Sequence, residues 1–135
     1  MENDRVCIDT DVLIDNLRNR GKTVEYLLTL EEQKVTFATT TINAFELFYG
    51  AYKTKKMENI ESVKKLLERL VVFEFDTEAS EIAGKILAKL ADEGKTIDFR
   101  DTLIGAIILV NDYIILTRNV KHFKKIPGLR IIEPP

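Results

Sequence analysis

The strongest constraint on this chain is an alternation of short apolar runs, rich in β-branched residues, with longer stretches whose apolar positions recur at helical spacing. Val6 to Ile8, Val35 to Ala38, Val71 to Phe75, Tyr113 to Thr117 and Leu129 to Ile132 are the strand candidates, too short for helices and bounded by polar or turn residues. Helices are predicted over Thr10 to about Arg18, Thr23 to Glu32, Ile42 to about Lys56, Ile60 to Leu70, Thr77 to about Glu93 and Asp98 to Asn111, with one more turn at Val120 to Lys124. Gly21 and Gly94 are predicted helix stops, and Thr39 to Thr41 and Asp76 or Thr77 are predicted caps. A strand that meets its neighbour only after a helix must pair in parallel through a right-handed crossover. The expected class is therefore α/β, three layers with a central parallel sheet of four to five strands.

With 135 residues, one such unit spanning 1–135 is expected. The formal net charge of −2 rules out a globally basic nucleic-acid binder, so any such affinity has to be local. Cys7 is the only cysteine, which excludes an internal disulfide or a cysteine-based zinc cluster and fits a reducing compartment. Glu2, Asp4 and Arg5 stand where a secretory signal would be apolar, and no apolar run approaches the ~18 residues of a membrane span. A cytoplasmic location is the expectation.

Acidic residues recur at element ends. Asp98 and Asp101 open an otherwise apolar helix three residues apart, so they share a face and repel mildly unless something rewards the pairing. One reward is helix capping and dipole compensation. The other is a divalent cation. Asp9 ends the first strand, which is normally central in such a sheet, and Asp11 follows in the first helical turn, with Thr10 between them as a candidate cap. Glu46 lies in mid-helix among Ile42, Asn43, Tyr49 and Gly50, where a carboxylate without water must pair, neutralise or bind metal, and Gly50 offers room for another element to approach.

If Asp9, Glu46, Asp98 and Asp101 share the crevice at the strand ends, mutual repulsion would raise their pKa values unless a cation relieved it. An all-oxygen donor set selects Mg²⁺ or Mn²⁺ over zinc and suits phosphodiester hydrolysis.

Four segments together, Ile8 to Asp15, Thr41 to Ala51, Asp98 to Ala106 and Leu116 to Phe123, resemble the PIN domain, specifically the VapC toxin ribonucleases of VapBC toxin–antitoxin modules, in order and spacing over essentially the whole chain. The resemblance implies strand order 3-2-1-4-5, a metal-dependent endoribonuclease acting on RNA, neutralisation by a VapB-like antitoxin and a homodimer. It implies Asp9, Glu46 and Asp101 as the first-, second- and third-motif ligands, with Asp98 an additional acid. Thr117 and Asn119 fall at the fourth motif and are possible supporting residues, as are Thr10 and Asp11 beside Asp9 in the first. The position before Phe123, commonly Asp in that motif, is His122, so one tightly held metal and a second arriving with substrate are expected.

RNA needs positive charge near the acids. Arg118, Lys121, Lys124, Lys125 and Arg130 fall in an acid-free stretch from Tyr113 to Ile132, and Lys53, Lys55, Lys56, Lys64, Lys65 and Arg69 form a second group. Three other readings compete. Asp9-Thr10-Asp11 is similar to the nucleophile motif of haloacid-dehalogenase-type phosphatases, although Val12-Leu13 departs from it. A receiver-type phosphoacceptor domain would use Asp76 as acceptor and Thr117 as switch. A PIN-fold RNA- or partner-binding module with impaired catalysis would follow from His122.

Overall fold

The computed structural model describes residues 4–135, so Glu2 lies outside the described residues. Five strands, β1 (Arg5–Ile8), β2 (Thr36–Thr40), β3 (Val71–Phe73), β4 (Ile114–Leu116) and β5 (Ile131–Ile132), form one sheet in the order β3-β2-β1-β4-β5. Every neighbouring pair is parallel. The helices are α1 (Thr10–Leu17), α2 (Gly21–Glu32), α3 (Thr41–Lys53), α4 (Met57–Glu68), α5 (Thr77–Asp92), α6 (Phe99–Asn111) and α7 (Val120–Phe123).

The two-residue period of the strands builds two cores. From β1, Val6 and Ile8 join Val12, Leu13, Leu47 and Val63 in one cluster, while Cys7 between them joins Ile104, Ile108 and Phe123 in the other. Leu116 and Ile115 of β4 divide the same way. Helices therefore cover both faces of the sheet, as a parallel sheet requires. Cys7 is a packed strand residue, its thiol pushed far above the ordinary range by burial and by Asp9. The central post is α6, in which Ile104, Ile107 and Ile108 are buried. Gly105 lets the segment after α7 come close, since a Cβ there would stand 2.5 Å from Ile126 Cδ1.

Several boundaries differ from expectation for local reasons. Gly21 opens α2 rather than stopping α1; the chain turns at Asn19, with φ 54°. Val35 closes α2 through its N–H to Leu30 O, so β2 starts at Thr36 and runs on to Thr40. After Lys55, at φ 59°, α4 begins at Met57, ahead of the expected Ile60. Gly94 at φ 69° does end the segment after α5. Gly50 has nothing within 4 Å of a Cβ position, so the expected close approach there is absent. Among the described residues no helix is long and apolar enough to cross a membrane.

Candidate metal centre

Strand order reverses between β1 and β4, the two central strands whose connections leave in opposite directions, and the crevice of such a sheet opens at their carboxyl ends. Asp9 stands there. Its N–H donates to Leu116 O at 3.0 Å, and its carboxylate caps α1 by accepting from Thr10 N at 2.9 Å. Asn43 Nδ2 donates to the same oxygen, Oδ1, at 2.9 Å, and the Thr117 hydroxyl donates to Oδ2 at 2.7 Å. The capping and pocket readings of Asp9 are thus one geometry.

Asp9 is 5% exposed, and its carboxyl is pushed up to about 6 by burial, with the Asp11 charge adding to the rise and the bonds from Thr117, Thr10 and Asn43 opposing it. Asp101, in the first turn of α6, is also raised, by burial first and the Asp98 charge second; His122 Nδ1 lies 3.2 Å from its Oδ2. Asp98 behaves oppositely. It is the N-cap of α6, accepting from Arg100 N at 2.9 Å, and the Arg100 side chain holds it below the usual carboxylate range.

Glu46 corrects the expectation of an acid shut off from water, while the pairing held open for it is present. Its side chain is 23% exposed, accepting the Thr10 hydroxyl at 2.8 Å on Oε1 and Arg100 Nη1 at 3.1 Å on Oε2. The supposedly apolar surroundings are partly solvent, because Phe45, Tyr49 and Tyr52 on the same helix are each at least 60% exposed. The expected four-way repulsion is likewise reduced, since a guanidinium lies between two of the acids.

Asp9, Thr10, Asp11, Glu46, Asp98, Asp101 and Asn119 all line one cleft of about 270 Å³, together with Arg100 and His122. Thr117 lies beneath it, fully buried against Asp9. Asp11 Oδ2 accepts from Arg118 N at 3.0 Å, tying α1 to the end of β4. A second cleft of about 240 Å³ between α1, α3 and α4, lined by Ile14, Leu17, Leu47 and Val63, shares Glu46 as a wall.

Carboxylates at the cleft, with no sulfur donor there, match a hard divalent cation, and burial that disfavours the anions of Asp9 and Asp101 is a strain a cation relieves. Among the described residues no three His, Cys, Asp or Glu side chains stand in an ion-holding arrangement. Arg100 between Glu46 and Asp98, and His122 against Asp101, show why. The donor chemistry fits the ion, and the side chains are not closed around one.

Three residues of this site were not legible from spacing. Asn43 holds Asp9 and Thr10 from α3, and its one signal is an amide inside an apolar helix. Arg100 had only its place between two acids. Arg118, expected as an RNA contact, instead bonds Asp15 at 2.6 Å and Thr23 at 3.0 Å, and Arg130 pairs with Asp112 at 3.2 Å. Lys125 donates to Thr96 O at 2.6 Å. The basic stretch is largely engaged within the fold. The receiver reading fails on topology: Asp76 caps α5 beyond β3, two strand spacings, or about 10 Å, from β1 and Asp9.

The PIN domain model matches residues 6–129. The chain is 30% identical over 125 residues to the tRNA(fMet)-specific endonuclease VapC of Salmonella typhimurium, covering 92% of this chain and 93% of that one. It is 28% identical over 123 residues to the ribonuclease VapC2 of Rickettsia felis, covering 90% and 92%. Two solved structures superpose closely. VapBC2 from Rickettsia felis, bound to a DNA fragment from its promoter, gives a TM-score of 0.87 at 25% identity over 97% of this chain and 99% of that one. DNA-bound VapBC from Salmonella typhimurium gives 0.85 at 27%, over 96% and 98%.

Proposed function

The chain belongs to the PIN domain family, and from that membership we propose that it is a Mg²⁺- or Mn²⁺-dependent endoribonuclease, the toxin of a VapBC-type module. The observation that carries the reading is Asp9, a buried carboxylate raised to about 6 and held between the ends of β1 and β4 beside Asp101. A buried acid kept there at a cost to folding is what a site built to accept a cation would contain. Asp9 and Asp101 would hold the ion, with Glu46 and Asp98 as further oxygens. When bound, it would neutralise the scissile phosphate and lower the pKa of the attacking water.

The chain's own residues set the rest. Thr117, Asn43 and Thr10 orient Asp9 by donating to both of its oxygens, so its carboxylate enters the reaction already placed. The clamp from Asp15 and Thr23 to Arg118 holds the β4 end, and with it Asn119, against α1. Lys121 and Lys124 on and after α7 remain as candidates for phosphate contact near the cleft. The relatives resolved as VapBC complexes make a VapB-like antitoxin the expected partner. The mixed polar and apolar cleft adjoining Glu46 and the exposed Phe45, Tyr49 and Tyr52 supply surface for such contacts.

The test is cleavage of purified RNA with Mg²⁺ or Mn²⁺, starting from tRNA because the Salmonella relative is named for it. Asp101→Asn should lower the rate by about a hundredfold or more with no loss of thermal stability. Undiminished cleavage by that variant would sink the site assignment. RNA binding without cleavage by the unaltered chain would favour the binding-module reading.

A further inference from the structure

Arg100 is the second residue of α6, a place where the helix dipole disfavours a cation. Its side chain nevertheless reaches back along the rim of the cleft to two acids while staying half exposed. Nη1 donates to Glu46 Oε2 at 3.1 Å, Nη2 to Asp98 Oδ2 at 3.3 Å and Nε to Asp98 Oδ1 at 3.4 Å. One guanidinium therefore bridges α3 to the head of α6 and engages two of the four candidate ligands. Asp9 is treated differently, since every bond it accepts comes from a neutral donor. Among the described residues the His122 ring is the one side chain within bonding distance of Asp101, and Arg100 acts on it through charge alone, without a bond. Positive charge is thus placed on the Glu46 and Asp98 half of the cleft, and the Asp9 and Asp101 half is left to be neutralised from outside.

We propose that Arg100 is a built-in counter-ion occupying one half of the acidic cleft, so that the resting site takes one divalent ion and a second enters only by displacing the guanidinium. The inference rests on the reading of this cleft as a metal site. Displacement is feasible because the Arg100 side chain is 52% exposed and its bonds are long, and exposed ion pairs of this kind are individually weak. Arg118 shows the contrast: its side chain is 35% exposed and sits 2.6 Å from Asp15, tied into the fold. Arg100 also explains why Glu46 and Asp98 can stand together without an ion. The number of ions the site holds is then set by a residue outside the ligand list, not only by His122 at the fourth motif.

The test is Mn²⁺ binding, followed by calorimetry and by electron paramagnetic resonance, on the full chain and on Arg100→Gln and Arg100→Lys. The unaltered chain should bind one Mn²⁺. Arg100→Gln should bind two, or bind the first about tenfold more tightly, because the repulsion from a nearby positive charge is gone. Arg100→Lys keeps the charge and should remain near the unaltered chain. In EDTA, Arg100→Gln should melt lower because Glu46 and Asp98 lose their counter-ion, and Mn²⁺ should close that gap. A purely structural arginine would lower the melting temperature without changing ion number or affinity, so unchanged Mn²⁺ binding in Arg100→Gln overturns the proposal. Two ions bound by the unaltered chain overturn it equally. If neither protein binds Mn²⁺, the metal reading of the cleft falls with it.

Discussion

Replacing Asp9 by asparagine should make the metal-free protein more stable near neutral pH while abolishing its activity. The Asp9 carboxyl is pushed from 3.8 to about 6, by burial above all. Between these values the folded chain keeps a proton that the unfolded chain has lost, so unfolding releases a proton and stability falls as pH rises through the window. Below it both states are protonated, and above it both are ionised with the full cost in place. At about 1.4 kcal/mol per pH unit, the gap from 3.8 to about 6 corresponds to about 3 kcal/mol.

Asparagine removes the ionisation and keeps the shape. Its carbonyl oxygen can accept from Thr10 N and Asn43 Nδ2, and its amide can donate to Thr117 Oγ1 in place of the bond Asp9 accepts there. Urea unfolding in EDTA, at steps from about pH 3 to about pH 7, should show the two proteins nearly equal at the acid end and Asp9→Asn ahead by up to about 3 kcal/mol at the neutral end. Acids that do not feel the Asp9 charge cancel in the difference. Added Mg²⁺ should stabilise the unaltered chain and leave the variant nearly unchanged, since only a chain that binds the ion gains from it. Parallel curves with a constant offset would refute the reasoning, because they would mean that Asp9 titrates alike in both states.

Arg118→Ala should cost about 2 kcal/mol in urea unfolding, because it strips the bonds to Asp15 and Thr23 and leaves a mostly buried acid short of a partner. The salt dependence of RNA binding should not change, which separates a structural clamp from a phosphate contact. Thr102→Val should stabilise by about 1 kcal/mol, since the Thr102 hydroxyl is buried without a hydrogen-bond partner among the described residues; a loss in thermal melting would show that it has one. Gly105→Ala should cost about 1–3 kcal/mol by driving a methyl into Ile126, and Ile126→Val in the same chain should recover part of it by removing the Cδ1 atom that is struck.

How far the sequence reveals the site depends on the residue. Asp9 and Asp101 are legible because a strand end and a first helical turn are marked by local pattern, and the structure places both at the cleft. Glu46 was placed at the cleft but with the wrong surroundings. Helical spacing names its neighbours along α3 and says nothing about which side of α3 meets water, and Tyr49, one turn from Glu46, is 60% exposed. Arg118 was misjudged in the opposite sense, as free charge, because its partners Asp15 and Thr23 are distant in sequence.

The elements of this chain follow from its residues alone. Val, Ile and Leu runs of strand length, helical apolar spacing, and the caps at Asp9, Thr40, Asp76 and Asp98 are decided within a few positions of one another. Parallel pairing follows as well, since helices intervene between the strands. Tertiary structure decided which acids share their charge and with what. Arg100 reaches Glu46 across 54 positions, Thr117 reaches Asp9 across 108, and Asn43 reaches Asp9 across 34. Those bonds depend on how α3, β4 and α6 sit against β1, and electrostatics at a few ångströms responds to that placement rather than to order along the chain. The acids could be named from the sequence, but only the packed fold shows Asp9 and Asp101 strained by burial and Glu46 and Asp98 already paired by the chain itself.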